Sequence, residues 1–174
     1  MKMAKKLLAV VLAGVLAVSL LTGCGGAVST KAIAEAMSDT TIAEAMSDKS
    51  KEDGVVYRAD PELDGKAKLI ADLINDPRKE TYIYEGIMKI MGEDYADKYV
   101  WIAATTTKGN DVMTQASNLL EDLEDVDVDS NINGAVPKGK SPANVRSIGT
   151  APITMNGVDY RFAVITADAV EDKV

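Results

Sequence analysis

Gly149-Thr-Ala-Pro-Ile-Thr-Met-Asn-Gly-Val-Asp-Tyr-Arg-Phe-Ala-Val164 decides the fold class of this chain. Asn156-Gly157 sits between two β-prone runs, the strongest short-range hairpin signal, because a tight hairpin turn needs positive φ at both central residues. A two-residue turn pairs Met155 with Val158, Ile153 with Tyr160, Ala151 with Phe162 and Gly149 with Val164. These side chains then share one face, large opposite small in the middle pairs, which makes a coherent core surface. Pro152 lacks a backbone donor and predicts an open side or a bulge in its strand.

A hairpin of this kind needs a partner for its apolar face, and the preceding sequence supplies helices. Asp60-Pro61-Glu62 reads as a helix start, with Asp60 as cap and Pro61 in the first turn. Leu63, Ala67, Ile70, Ala71 and Ile74 follow at helical spacing until Asn75-Asp76-Pro77. A second helix from Asp76-Pro77 places Ile83, Ile87, Ile90 and Met91 on one face and stops at Gly92. Tyr99-Val-Trp-Ile-Ala-Ala-Thr-Thr106 is rich in aromatic and β-branched residues. It is apolar on both faces in its first half, which predicts a central strand. After a turn at Lys108-Gly109-Asn110, a third helix over 111–124 carries Val112, Ala116, Leu119, Leu120 and Leu123 as its stripe. Val55-Val56-Tyr57 reads as a short strand. The expected architecture is α+β, with two or three helices packed on a small, mainly antiparallel sheet that ends in the hairpin.

The chain of 174 residues has a net charge of −8 and no histidine. Without histidine the usual general base and the commonest transition-metal ligand are missing. Cys24 is the only cysteine, so no disulfide forms within the chain. The acidic balance argues against nucleic acid, whose phosphates would be repelled. Chemistry is left to carboxylates, lysine, tyrosine or a Ser-Lys pair.

The N-terminus explains the single cysteine. Lys2, Lys5 and Lys6 precede an apolar stretch from Leu7 to Leu21. That stretch covers about 15 residues, where a membrane span needs roughly 20. The basic flank and the small residues at its end fit a secretory signal instead. The run Leu21-Thr22-Gly23-Cys24 resembles the lipobox of bacterial lipoproteins. The resemblance implies that Cys24 is lipidated and becomes the first residue of the mature chain, which is held on the extracytoplasmic side of the cell membrane. Removal of residues 1–23 takes three lysines with it and leaves a charge of −11. The lipid on Cys24 is then the expected membrane contact, since each buried methylene contributes about 0.8 kcal/mol.

The division expected from these readings is a signal peptide over 1–23, an anchor and tether over 24–53, and a globular domain over 54–174. The tether is rich in Gly, Ala, Ser, Thr, Lys and Asp, has no aromatic residue, and holds an identical repeat, Ile33-Ala-Glu-Ala-Met-Ser-Asp39 and Ile42-Ala-Glu-Ala-Met-Ser-Asp48. A nine-residue offset turns a helix through about 900°, half a turn beyond two full ones. One continuous helix would set Ile33 and Met37 opposite Ile42 and Met46. Two short helices broken near Ser38-Asp39-Thr40 are therefore expected, the second restarting at Thr41 with Glu44 in capping-box spacing. The repeat reads as a duplicated spacer, or as paired docking motifs for an envelope protein partner.

Candidate sites are few. In Asp125-Val-Asp-Val-Asp-Ser-Asn-Ile-Asn-Gly134, the residues Asp129, Asn131 and Asn133 alternate before Gly134. This resembles the first half of an EF-hand calcium loop, where alternating oxygen ligands converge on a hard cation. The twelfth position is Lys140 rather than an acid, so the run also reads as an Asx-rich turn. Gly134-Ala-Val-Pro-Lys-Gly-Lys-Ser141 matches the bare phosphate-loop pattern, but a hairpin rather than a helix follows, so the match is coincidental. Lys138, Lys140 and Ser141 read as loop rather than as a Ser-Lys dyad. Tyr82, Tyr84, Tyr95, Tyr99 and Trp101 are candidates for a sugar- or peptide-binding groove or, more simply, for the core. The expected function is a lipid-anchored extracytoplasmic binding or interaction module without catalysis or cofactor. The alternative is a small envelope hydrolase that uses a pair of carboxylates.

Overall fold

The computed structural model describes residues 28–47, 54–76, 83–124 and 139–171. Among them run α1 (Thr30–Ser47), β1 (Val56–Ala59), α2 (Pro61–Ile74), α3 (Ile83–Met91), a 3-10 turn (Glu93–Tyr95), β2 (Lys98–Thr106), α4 (Val112–Glu124), β3 (Lys140–Met155) and β4 (Val158–Glu171). The strands form one sheet in the order β1-β3-β4-β2. β1 is parallel to β3, and the other two pairings are antiparallel. The class is α+β, with a C-terminal hairpin.

The hairpin has the expected register. Met155 pairs with Val158, Ile153 with Tyr160, Ala151 with Phe162 and Gly149 with Val164. Asn156 and Gly157 have φ of 51° and 78°, the two positive values that a type I′ turn requires. Pro152 lies past the end of β1, which pairs only with Val145 to Ile148. Alternation from the turn puts Pro152 at a position without ladder bonds to β4, so its missing donor faces the open edge.

Helices cover both faces of the sheet. Ala163, Ile165 and Ala167 of β4 and Tyr99, Trp101 and Ala103 of β2 meet α1 and α4 in one buried cluster. Phe162, Val164 and Val100 meet α2 and α3 in a second cluster on the opposite face. This overturns the expectation that β2 is central. β2 is an edge strand, and its two apolar faces reflect the helix layers above and below it. Its edge is partly covered too, since the amide of Ala104 donates to Asp122 of α4 at 3.0 Å.

The start of α2 follows the expected chemistry, and that of α4 shows the same kind of cap. Asp60 caps α2 by accepting from the amide of Glu62 at 2.9 Å, with Pro61 in the first turn. Asp111 caps α4 by accepting from the amide of Thr114 at 2.8 Å. Gly92, at φ 86° and ψ 175°, ends α3 in an extended positive-φ conformation that is essentially confined to glycine.

The segment read as a tether differs most. α1 is one helix across both repeat copies rather than two, and Thr41 donates its hydroxyl to the carbonyl of Met37 inside it. Ile33, Ala34, Ala36 and Met37 of the first copy are buried in the cluster beneath α1 and α4. The small alanines bring the helix close to the sheet while Ile33 and Met37 fill the space between. Half a turn away in phase, Ile42 of the second copy is 38% exposed, whereas Ile33 is 0% exposed. The folded unit therefore includes the first repeat copy and does not begin at Gly54.

α2 crosses β3 at the one place where no side chain stands between them. A Cβ on Gly149 would overlap the carbonyl of Leu63 and the amide nitrogen of Asp64. Gly149→Ala should therefore force α2 off the sheet and cost about 3 kcal/mol. A fall in Tm of roughly 10 °C is expected by circular dichroism, and an unchanged Tm would show that the two backbones are not in contact.

Candidate functional site

Position 161 of β4 has the parity of Ala163 and Ile165, so Arg161 points into the face beneath α1 and α4. It is only 9% exposed. Its Nε donates to Oε1 of Gln115 at 2.8 Å, and its Nη1 donates to Oγ1 of Thr150 at 3.1 Å. Gln115 in turn donates to the carbonyl of Asn110 at 2.9 Å, which fixes the amide orientation that Arg161 needs.

A directed chain of hydrogen bonds leaves Arg161. Thr30 at the start of α1 donates to Oδ1 of Asp64 at 2.7 Å. The hydroxyls of Thr30 and Thr150 lie 2.8 Å apart. Because Thr30 has one proton and gives it to Asp64, Thr150 is the donor of that pair. The sequence runs from guanidinium through two hydroxyls to carboxylate, each bond polarising the next. Asp64 also accepts from the amide of Thr150 at 2.7 Å, an edge group that no strand pairs. Burial pushes the Arg161 guanidinium below its ordinary range, and the negative charge of Asp64 partly offsets this. It stays charged at neutral pH.

A second cation lies on the same side, nearer the other end of the sheet. The guanidinium of Arg146 stands 4.9 Å from the ring centre of Trp101 and 5.9 Å from that of Tyr57. These are cation–π distances. Its Nη1 donates to the Tyr57 hydroxyl at 3.4 Å, a long bond. Its Nε is buried and has no hydrogen-bond partner. Tyr99 stacks on Trp101 with ring centres 5.5 Å apart and donates its hydroxyl to the carbonyl of Lys140 at 2.7 Å. Two aromatic rings thus hold one part-exposed guanidinium, with Tyr99 backing Trp101, and not all of its donors are used. That arrangement suits retention of an acceptor-bearing group and supplies no nucleophile or general base.

The expected site residues divide as follows. Cys24 and the calcium candidates Asp129, Asn131 and Asn133 lie outside the described residues, as do Tyr82 and Lys138. Lys140, at the twelfth position of the calcium-like run, opens β3 and pairs with Glu171 at 3.7 Å. The Lys140-Ser141 pair therefore begins a strand, the wrong context for a phosphate loop. Tyr99 and Trp101 belong to one face of the sheet and Tyr95 to the other, so they do not share a groove. Among the described residues no aspartate or glutamate is classed as buried, and no group of three or more acidic side chains is placed to hold a metal. A shallow open groove of about 370 Å³ runs between α2 and α3, lined by Leu69, Asp72, Leu73, Asp76 and Ile90. Neither arginine was singled out from the sequence. The available signal was a charged residue at an inward position of a strand covered on both faces.

Thr30→Val removes the hydroxyl that bridges the Thr150 side chain to Asp64, and should cost about 1–3 kcal/mol in urea unfolding. Thr30→Ser keeps the hydroxyl and should cost much less; equal losses would show that the hydroxyl is not the relevant group. Asp111 provides a pH test. The amide and hydroxyl of Thr114 hold its carboxyl below the usual range, against a smaller opposing effect of burial. Its contribution is therefore present above the ordinary carboxylate pKa and lost as pH falls through the depressed value. The Tm difference between the parent and Asp111→Ala should reflect about 1 kcal/mol at pH 7 and shrink in acid.

No protein-family model matches the chain, and no curated protein or solved structure is similar to it.

Proposed function

We propose that this chain is a lipid-anchored, extracytoplasmic binding module of the bacterial cell envelope, without catalysis, held tightly against the membrane. The membrane is reached through lipidated Cys24, and the ligand is an acceptor-bearing group or an envelope protein partner. The observation that carries the reading is the Arg146 cluster. A part-exposed guanidinium seated on Trp101 and Tyr57 presents a fixed cation to a hydrogen-bond acceptor. Charge-assisted bonds to such a cation are about twice as strong as neutral ones.

The start of α1 adds to this reading. Val28 already packs on the core, so only residues 25–27 separate the folded unit from Cys24. Four residue steps span at most about 14 Å. A chain of this size has a radius of gyration of about 15 Å. The anchor is thus shorter than the body it holds, and a lipidated molecule stays at the lipid surface rather than standing off on a stalk. Among the described residues no helix is long and apolar enough to cross a membrane. Calcium at Asp129, Asn131 and Asn133 remains an accessory proposal, tested by thermal shift at millimolar calcium.

Cys24→Ala decides the anchoring. The expected result of cell fractionation is protein in the soluble extracytoplasmic fraction, or an unprocessed precursor. Normal processing with undiminished membrane retention would rule the anchor out.

A further inference from the structure

Two identical heptapeptides lie on one helix, yet only one of them can face the sheet. The first fills a defined slot. Ile33, Ala34, Ala36 and Met37 are buried, and Ser38 holds the adjacent strand. The Ser38 hydroxyl accepts from the amide of Tyr57 at 2.7 Å and has the carbonyls of Ala34 and Tyr57 within donating distance, at 2.8 and 3.2 Å. Every side chain that makes these contacts recurs nine positions later, in Ile42, Ala43, Ala45, Met46 and Ser47. The likeness extends to the cap. Ser29 accepts from the amide of Ala32 at 3.2 Å to begin α1, and the residue nine positions on is again a serine, Ser38.

We propose that α1 occupies its groove in two registers, with the second repeat copy able to replace the first. The exchange moves the helix about 13.5 Å along its axis and turns it half a revolution, since nine residues rise 1.5 Å each and 3.6 make a turn. Ser38 then caps the helix and Ser47 takes the place beside Tyr57. Residues 48–56 still bridge from Ser47 to Tyr57, and nine residues exceed the usual length of a helix-to-strand connection. One-turn ratchets of one element past another are an established form of two-state switching, and this exchange is a longer one of two and a half turns.

The residues flanking the repeat distinguish the registers: Val28 and Ala32 pack on the core where the exchange would bring Met37 and Thr41, and the Thr30 position explains which register is occupied. Thr30 gives its proton to Asp64, whereas its counterpart nine residues on is Asp39. A carboxylate there has no proton to donate and faces another carboxylate. The first register therefore keeps the hydrogen-bond chain from Arg161 to Asp64, and the second breaks it at a cost that selects the first. In the anchored protein the second register frees nine residues and adds up to about 30 Å of reach. That consequence, unlike the exchange itself, rests on lipidation of Cys24.

The test is a double-mutant cycle on the full chain in detergent, followed by thermal unfolding. In the parent, Ile42→Asn changes a half-exposed residue and should shift Tm by no more than about 2 °C. Ile33→Asn should lower Tm but leave one cooperative transition, because the second copy takes the slot. With both substitutions no intact copy remains and the transition should disappear. Adding Asp39→Thr to Ile33→Asn restores a hydroxyl beside Asp64 and should raise Tm. An equal effect of Ile42→Asn in both backgrounds, loss of the transition with Ile33→Asn alone, or no gain from Asp39→Thr would overturn the proposal. None of these readouts depends on Cys24, so failure of the anchor and failure of the exchange are separable.

Discussion

The absence of a side chain at Gly149 is the constraint on which the rest of the fold depends. It lets the first turn of α2 lie directly on β3, backbone against backbone. Only from that position does the carboxylate of Asp64 reach the amide of Thr150 past the end of β1. The same oxygen collects the Thr30 hydroxyl, which fixes where α1 begins. Thr150 then receives Arg161, and Arg161 holds Gln115 of α4. One missing methyl group thus places the carboxylate that links α1, α2, β3, β4 and α4. Fully satisfied buried networks of this kind specify a single arrangement, and partly satisfied ones destabilise it.

This dependence explains what the sequence disclosed. The hairpin was legible to the residue, because Asn156-Gly157 dictates turn geometry and turn geometry dictates register. The faces of α2, α3 and α4 were legible because Leu, Ile and Met recur at helical spacing. The lateral position of β2 was not. Tyr99, Val100 and Trp101 report burial above and below the sheet, and neither tells which strand lies alongside. Arg161 was missed for a related reason. The hairpin pairing accounted for the even-numbered β4 residues and assigned nothing to the odd-numbered face. Helices on both sides turn that face into core, and the charged residue on it into a network centre.

The misread first repeat has a different cause. Composition treats alanine, serine and threonine as spacer material, yet small residues let a helix approach a sheet closely. The phase argument was sound, since one helix does turn Ile42 away from the side that Ile33 occupies. Its premise was at fault, because a helix needs only one apolar stripe over the part that touches the sheet. Burying Ile33 and Met37 contributes about 1.5–3 kcal/mol each. That is enough to hold half of α1 in place and leave the other half without a required partner.

Those magnitudes bear on how firmly α1 is held. Whole-domain stabilities run to about 5–15 kcal/mol, so the first copy accounts for a sizeable fraction while supplying few of the sheet's own contacts. Most of the sheet's pairing, β3 with β4 and β2 with β4, is made without α1. An element that adds stability without being needed for the pairing beneath it is suited to local release, which proteins permit at free energies below that of global unfolding. Duplication of its apolar segment lowers the cost of release further. Whatever the first heptapeptide loses on leaving the groove, an identical one recovers on entering, apart from the flanking contacts of Val28, Thr30 and Ala32. The gap between the two positions then reduces chiefly to one hydrogen bond and one pair of like charges, which is a difference of a few kcal/mol rather than the cost of an exposed core.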